Sequence, residues 1–302
     1  MHDPLSTVLG RARVEAAFFS RALGASPWAV ETRGATSGIF HVLVRGAAVL
    51  EVEGERVELL PGELVVLPTG PAHVLRSLAP CAPTWIGALP RADTDGLPTV
   101  CAGEGVSDTE VLCGTLRFGP FGDELLVAHL PRVLHARGPA LAAWVGALST
   151  ELAARPPGAD AVAACLGELL FLLALREWLG AADAPGWLAG LVHPDLGRAL
   201  ARVQADPAAD WTVARLARAA GLSRTSFAEL FARIVGMPPV AWVIHWRMLI
   251  ARQLLADPRQ TIPAVAEAVG YSSEAAFHRA FHREVGEPPA RWRRRTSAAP
   301  ST

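Results

Sequence analysis

Four cysteines, Cys81, Cys101, Cys113 and Cys165, are the most reactive side chains of this sequence. No two are spaced as C-x-x-C and the pattern is too sparse for a disulfide framework, which favours reduced thiols in a cytoplasm. Cys113 is a candidate redox sensor, with Cys101 or Cys81 as its partner, if its thiol is exposed and has a low pKa. The alternative is a buried cysteine with a structural function. No Ser/His/Asp order or pair of carboxylates indicates a catalytic centre.

A second set of polar side chains lies in a passage that occurs twice. Residues 212–221 align with 261–270, and residues 227–242 align with 277–292. Each copy contains an apolar-periodic helix, a break at a glycine, and a second helix that begins at a serine. This pattern predicts two helix-turn-helix motifs. Ser223, and either Ser272 or Ser273, are expected to accept backbone N–H groups at the starts of the second helices.

The second helix of each copy has an apolar face and a polar face. The apolar residues predicted to be core are Phe227, Leu230, Phe231 and Ile234, and Phe277, Ala280, Phe281 and Val285. The remaining residues predict a DNA-reading surface made of Arg224, Thr225, Ser226, Ala228 and Glu229, and of Ser273, Glu274, Ala275, His278, Arg279 and His282. Arginine suits the O6 and N7 atoms of guanine. Arg279 could instead contact solvent or phosphate, and Arg293, Arg294 and Arg295 are expected to attract phosphate or to keep the tail soluble.

Charge divides the chain into an acidic front and a basic back. Residues 1–192 contain 13 Arg and 20 Asp or Glu, a net charge of −7, whereas residues 193–302 contain 15 Arg and 9 Asp or Glu, a net charge of +6. A basic region with helix-turn-helix motifs favours a polyanionic partner. The first residues include an acid and two arginines, so no signal peptide is expected, and the apolar segment 161–175 is too short to span a bilayer. We therefore expect a cytoplasmic protein.

The elements that position these residues differ between the two halves. Short Val- and Leu-rich segments at 39–44, 48–52, 57–60 and 64–67 alternate with Gly and Pro, which predicts a β-sandwich or barrel. Residues 90–110 are predicted to be a long loop, and residues 111–118 a further strand. Apolar periodicity at 141–154 and 161–179 predicts a helical hairpin, and residues 180–186 a hinge.

Residues 195–295 resemble the DNA-binding domain of the AraC/XylS family of bacterial transcription regulators. The resemblance is carried by WTVARLARAAGLSRTSFAELFARIVGMPP, WRMLIARQLL and VAEAVGYSSEAAFHRAFHREVGEPPARWR. It implies two recognition helices in successive major grooves, held apart by a connecting helix at 246–255. It places Thr225, Ala228 and Glu229, then Glu274, Ala275, His278 and Arg279, at base-reading positions. Because Ala228 has no hydrogen-bonding group and Glu229 is negatively charged, the second helix is expected to read more sequence.

Residues 62–73 resemble the second cupin motif, with Gly62, Pro68, Gly70 and His73 at its spacing. The segments DPLS, FHVLVRG, GPAHVLRS, LCGTLRFG and LPRVLH resemble the cupin-type sensor domain of one branch of the AraC family. This resemblance implies that His73 points into the mouth of a barrel. Ile39 stands where metal cupins have a glutamate, and no H-x-H precedes it. The usual four-ligand metal site is therefore broken, and an enzyme tethered to a DNA-binding domain is not expected.

His41 follows Ile39 by two residues and so lies on the same strand face. With His73 and a thiolate from Cys81 or Cys113, it could form a mixed nitrogen and sulfur site for zinc or another divalent ion. The alternative is a buried histidine that is hydrogen-bonded to a backbone carbonyl. In both cases His41 and His73 are predicted to line a ligand pocket.

These observations predict an α+β protein with three parts. They are a cupin-like β-barrel sensor at 1–136, a helical linker and dimerisation hairpin at 137–182, and an all-α domain with two helix-turn-helix motifs at 193–295. The predicted function is that of a sequence-specific transcription regulator, not an enzyme, whose cupin domain senses a small molecule, a metal or a redox signal. The expected partners are double-stranded promoter DNA, the effector, RNA polymerase and a second copy in a homodimer. Alternatively, the cupin only supports dimerisation and has lost its ligand.

Overall fold

The computed structural model describes residues 3–94, 96–181 and 186–297, and these divide between two compact units. One unit is formed by residues 11–182 and the other by residues 1–10 and 183–302. Residues 182–185, the centre of the predicted hinge, lie outside the described residues.

The first unit is built on two β-sheets. Its strands are β1 Val14–Gly24, β2 Ala29–Thr32, β3 Gly38–Arg45, β4 Ala48–Val52, β5 Glu55–Leu59, β6 Leu64–Leu67, β7 His73–Arg76, β8 Thr84–Trp85, β9 Arg91–Thr94, β10 Leu97–Ala102, β11 Thr109–Phe118 and β12 Leu134–Ala136. A seven-stranded sheet has the order β12-β6-β3-β11-β1-β10-β9, and a five-stranded sheet has the order β5-β4-β7-β2-β8. One apolar core holds residues of both sheets, including Leu43 and Val65 from the first and Leu50 and Leu75 from the second. The predicted barrel is thus realised as two separate sheets, and the α+β class is confirmed.

Two parts of the large sheet differ from the prediction. Strand β1 was not predicted, because a β-bulge between Ala17 and Ser20 shifts its register and interrupts the alternation of buried side chains. Strands β9 and β10 occupy the segment predicted to be a loop at 90–110. Strand β10 is held by parallel pairing with β1, a long-range contact that the polar composition of this segment does not reveal.

The predicted helical hairpin is present and packs on the large sheet. It follows the short helix α2 (Gly122–Leu125) and consists of α3 (Pro139–Ala154) and α4 (Ala159–Gly180). A Cβ atom at Gly167 would lie 2.6 Å from the Cβ of Ala16, so α4 lies directly against β1. The hairpin and the sheets therefore belong to one compact unit.

The described C-terminal residues are helical. The helices of this unit are α5 Trp187–Val192, α6 Leu196–Ala205, α7 Val213–Ala220, α8 Arg224–Val235, α9 Pro239–Leu255, α10 Ile262–Ala268, α11 Glu274–Val285 and α12 Pro289–Ser297, while α1 (Pro4–Ala12) begins the chain. Helices α7 and α8, and again α10 and α11, form the two predicted helix-turn-helix motifs. Within the described part of the chain, no single helix is both long enough and apolar enough to cross a membrane. Helices α8 and α9, which are bent by 55° relative to each other, meet these two criteria only when they are taken together, and by length and composition alone.

Candidate functional site

His41, His73 and Cys113 lie together inside the β-sandwich. His41 on β3 is directly opposite Cys113 on the neighbouring strand β11, and His73 reaches His41 from β7 of the other sheet. His41 Nδ1 lies 3.0 Å from Cys113 Sγ, and His41 Nε2 lies 2.9 Å from His73 Nε2. The two histidines are only 6% and 4% exposed. The structure thus brings together three of the residues singled out in the sequence.

Donor and acceptor chemistry determines where each proton of this cluster sits. His73 Nδ1 lies 2.8 Å from the carbonyl oxygen of Pro71, which can only accept, so Nδ1 carries the hydrogen. In neutral His73, Nε2 is then an acceptor, and His41 Nε2 must donate to it. His41 Nδ1 is therefore an acceptor, and the Cys113 thiol donates to it. We call this ordered series, from Cys113 through His41 and His73 to the Pro71 carbonyl, the thiol–imidazole chain.

The titration of these groups supports a neutral chain. Burial, together with the neighbouring His73, lowers the pKa of His41 well below its ordinary value. Burial also lowers the pKa of His73, partly opposed by its hydrogen bond to Pro71. Burial raises the pKa of the Cys113 thiol to about 12. At neutral pH the chain therefore contains a thiol and two uncharged imidazoles, and the Cys113 thiol does not have the low pKa that makes a thiol reactive toward weak oxidants.

This arrangement does not fit the predicted zinc site. The two ring nitrogens of His41 point in different directions, one to Cys113 and the other to His73, whereas ligands of one ion must converge on a point. The thiol–imidazole chain also does not include Cys81. In the described ranges, no group of three or more His, Cys, Asp or Glu side chains is arranged to hold a metal ion. The alternative, a buried histidine bonded to a backbone carbonyl, describes His73.

The geometry also separates Cys113 from its suggested disulfide partner Cys101. Cys113 pairs with Ser20 on one side of β1, whereas Cys101 pairs with Leu23 on the other side. Since adjacent strands lie about 4.8 Å apart, the two cysteines are separated by about 10 Å or more. A disulfide requires Cα atoms within about 7 Å, so this pair cannot form one without movement of the backbone.

A cavity of about 500 Å³ opens elsewhere in the same unit. Its lining includes the hydroxyls of Thr36, Ser37 and Thr69 and the charged side chains of Arg117 and Asp123. Neither His41 nor His73 lines it, in contrast to the predicted ligand pocket. Sequence reasoning named Pro68 as part of the cupin motif but predicted no pocket here, because the lining residues come from four separate segments with no common motif.

In the second unit, helices α8 and α11 are built as predicted. Ser223 Oγ accepts the backbone N–H of Ser226 at 3.1 Å, and Ser273 Oγ accepts that of Ala276 at 3.4 Å. Ser273, rather than Ser272, is therefore the cap of α11. The phenylalanines of both helices are buried, at 0% to 1% exposure, whereas Leu230, Ile234 and Val285 are only partly buried.

The predicted reading residues are accessible to different degrees. Those that are exposed are Arg224, Thr225, Ser226, Glu229, Ser273, Glu274, Ala275, Arg279 and His282, whereas Ala228 and His278 are partly buried. Ser226 Oγ lies 2.8 Å from Ser223 Oγ and is thus engaged in the helix cap. His278 Nε2 lies 3.4 Å from the carboxylate of Glu274. Arg224 and Arg279 are thus the exposed arginines of the predicted reading surface, one on each helix.

Several arginines of this basic unit bind the protein itself. Arg198 donates to the Ala220 carbonyl at 2.6 Å and Arg247 to the Pro207 carbonyl at 2.7 Å. The guanidinium of Arg295 lies 2.8 Å from Glu287. Arg294 is exposed on the same helix. Sequence counting alone could not distinguish these structural arginines from those that face solvent.

Comparisons with known proteins match both units. A cupin family model matches residues 3–180, and a helix-turn-helix domain model matches residues 216–295. A putative AraC-like transcription regulator of Streptomyces lividans is 33% identical over 301 residues, which cover 97% of this chain and 98% of the relative. The RCS-specific HTH-type transcriptional activator RclR of Escherichia coli is 34% identical over 268 residues, covering 85% and 84% of the two chains. The HTH-type transcriptional regulator AlkR of Acinetobacter baylyi is 30% identical over 281 residues, covering 89% and 92%.

These relatives share both units with this chain over most of their length, and all are named as transcription regulators. The family resemblance and the prediction that the chain is not an enzyme are thereby confirmed. The chain belongs to the AraC family of DNA-binding transcription regulators.

Proposed function

We propose that this regulator reads a two-part promoter site with α8 and α11, and that its cupin-like unit controls this binding by sensing a chemical signal at the thiol–imidazole chain. The observation that carries the sensing proposal is the burial of two histidines in an apolar sandwich, where one of them is bonded to a partly buried cysteine. Burying polar groups is costly even when they are hydrogen-bonded. Apolar residues such as the neighbouring Val42 and Leu43 would fill this space without that cost, which supports a chemical function for the polar chain.

For DNA reading, we propose unequal contributions from the two helices. On α11, Arg279 is exposed and carries five donors suited to a guanine edge, and His278 lies beside it on the same helix. On α8, Ser226 is occupied by the helix cap and Glu229 repels phosphate, which leaves Arg224 and Thr225. Sequence selectivity should therefore depend mainly on α11.

The test of DNA reading compares two exposed arginines. A preferred site is first selected from random duplexes, and affinities are then measured by fluorescence anisotropy at several salt concentrations. Arg279→Ala should lower specific affinity by about 5- to 150-fold and relax selectivity at one position, since one lost base contact is worth about 1–3 kcal/mol. Arg294→Ala should weaken binding to all sequences alike and reduce the salt slope by about one. Equal, sequence-independent losses from both variants would contradict base reading by Arg279.

The signal that we propose is an oxidant that reacts with Cys113. Hydrogen peroxide would transfer one oxygen atom to the thiol, leaving a sulfenic acid and one molecule of water. Oxidation replaces the S–H group, which now donates to His41 over a sulfur–nitrogen distance of 3.0 Å, by a larger S–O–H group, and this change is expected to shift β3 relative to β11. Because the buried thiol is protonated at neutral pH, we expect slow reaction with peroxide and faster reaction with a stronger electrophile such as hypochlorous acid.

The sensing proposal is tested on the full chain with two cysteine variants. DNA affinity is measured before and after treatment with each oxidant, and again with added zinc. Treatment with oxidant should change the affinity of the wild type and of the Cys165→Ala control, whose thiol is exposed, but not that of Cys113→Ala. An unchanged response in Cys113→Ala would reject Cys113 as the sensor. A response to zinc that depends on His41 and His73 would instead support a metal signal.

We also propose that the hairpin of α3 and α4 joins two copies of the chain. On its surface, Trp144 of α3 is 43% exposed and Val162 of α4 is 46% exposed. Cys165, three residues after Val162 on α4, is exposed as well. A helix that is apolar on all sides is normally buried in an assembly. Analytical ultracentrifugation at micromolar concentration should show a homodimer that Val162→Glu dissociates, whereas a monomeric wild type would contradict this interface. Such a regulator would act in the cytoplasm, together with RNA polymerase.

A further inference from the structure

The turn of the second helix-turn-helix motif is packed against the loop that leads into the first. Gly270, two residues after the end of α10, has a left-handed conformation, with φ of +83°. A Cβ atom at this position would lie 2.5 Å from the carbonyl oxygen of Ala208 and 2.8 Å from its Cα. The backbone of the second motif therefore contacts the backbone of the segment 206–211, which immediately precedes α7.

One arginine of the connecting helix lies at this contact. From α9, Arg247 Nε donates to the Pro207 carbonyl at 2.7 Å, and its Nη2 donates to the Ala209 carbonyl at 2.8 Å. The guanidinium also lies over the ring of Tyr271, 5.7 Å from its centre, within the range of a cation–π interaction. Arg247 thus joins three elements, namely α9, the loop before α7 and the turn before α11. We call these contacts the Arg247 junction.

The loop on the other side of the junction is itself anchored to the first motif. Trp211 Nε1 donates to the Asp206 carbonyl at 2.8 Å, and the guanidinium of Arg215, on α7, lies 4.4 Å from the centre of the Trp211 ring. A displacement of this loop is therefore transmitted to α7 and to the helix that follows it.

Among the described residues, the equivalent turn of the first motif makes no such backbone contact. Gly221 has nearly the same conformation, with φ of +75°, but a Cβ atom there would meet only the side chain of Arg198, at 3.3 Å. The close packing at Gly270 is thus not a general requirement of this turn. It is a feature of the place where the two motifs meet.

We infer that Arg247 is a positioning residue that fixes the separation and angle between α8 and α11, and so determines the spacing between the two halves of the DNA site. This inference rests on the proposed reading of DNA by both helices. Helix α9 packs against α7 and α8 of the first motif and against α10 and α11 of the second. The Arg247 junction adds a direct link between the two motifs, because its planar guanidinium holds two carbonyls of the loop before α7 at once and lies over the ring of Tyr271.

The test measures how affinity depends on half-site spacing. The full chain is titrated with its selected site and with sites in which one base pair is inserted between, or removed from, the two halves. One base pair turns the second half-site by about 34°. Wild-type affinity should fall by about tenfold or more on either altered site, the loss typical of a mismatched base pair. Arg247→Met and Gly270→Ala should bind the selected site more weakly than the wild type does. Their affinity for the altered sites should be no more than about threefold below their affinity for the selected site, because the second motif is held less firmly.

Two matched variants control for stability and charge. Gly221→Ala introduces the same left-handed strain without a contact between motifs, and Arg259→Met removes an exposed arginine whose partner is Asp257 in its own loop. Both variants should keep the wild-type ratio between the affinity for the selected site and the affinity for the sites of altered spacing. Simple loss of folded protein would lower binding to all sites equally and leave this ratio unchanged, so the ratio reports positioning and not stability.

The outcomes separate this inference from the proposed function. If Arg279→Ala alters selectivity but Arg247→Met retains the wild-type ratio, the junction does not set the spacing. If neither Arg279→Ala nor Arg224→Ala alters selectivity, the two-helix reading itself fails. Should Arg247→Met not fold, as judged by circular dichroism, Arg247→Lys keeps the charge without the fork and is expected to show the same loss of spacing selectivity.

Discussion

Acidification is expected to destabilise the cupin-like unit through His41 and His73. Burial lowers the pKa of both imidazoles in the folded protein, whereas an imidazole in the unfolded chain titrates near 6.5. As the pH falls through 6.5, the unfolded state binds more protons than the folded state, so stability is lost below that value. Between about pH 7.5 and about pH 5.5, one such group lowers the free energy of unfolding by about 1 kcal/mol, and the pair by about 1 to 3 kcal/mol.

The assay is hydrogen–deuterium exchange of peptides from β3 and β6, corrected at each pH for the intrinsic exchange rate. His41→Gln and His73→Gln each remove one titrating group and keep a polar side chain, so each should reduce the loss of protection on acidification. Cys165→Ser, on the exposed surface of α4, should retain the wild-type pH dependence. If acidification lowers the free energy of opening equally in the wild type and in both glutamine variants, the acid sensitivity does not arise from these buried histidines and the reasoning is refuted.

Three further predictions concern stability, each measured by urea unfolding. Ser223→Ala and Ser273→Ala should each cost about 1 kcal/mol, because each removes the side chain that caps a recognition helix; a loss from only one would show that the two caps are not equivalent. Trp246→Phe should cost much less than the roughly 3–5 kcal/mol of a Trp→Ala change, since its buried indole N–H has no hydrogen-bond partner among the described residues. Cys113→Ser keeps a donor toward His41 and should be tolerated better than Cys113→Ala, which leaves a buried imidazole nitrogen unpaired at a cost of about 1–3 kcal/mol. If the two variants lose the same free energy of unfolding, the assigned direction of this hydrogen bond is wrong.

The C-terminal unit could be predicted in detail because its signals are local. Helices α8 and α11 each have their own cap serine and their own apolar period, and each is preceded by a turn that contains a glycine with positive φ. The large sheet was harder to predict, since β1 carries a bulge and β10 depends on parallel pairing between residues about eighty positions apart. Pairing over such distances is decided by tertiary contacts and not by the residues of either strand.

The sequence by itself determined the family, the two repeated motifs and the identity of His41, His73 and Cys113 as candidates. It did not determine that Cys113 and His73 would meet different nitrogens of His41, because that depends on β11 lying beside β3 while β7 lies in the opposite sheet. The same limit applies to Arg247, one of 15 arginines in residues 193–302. Only the folded chain brings residues 206–211 and the turn at Gly270 to its guanidinium, because local periodicity specifies helices and not the contacts between them.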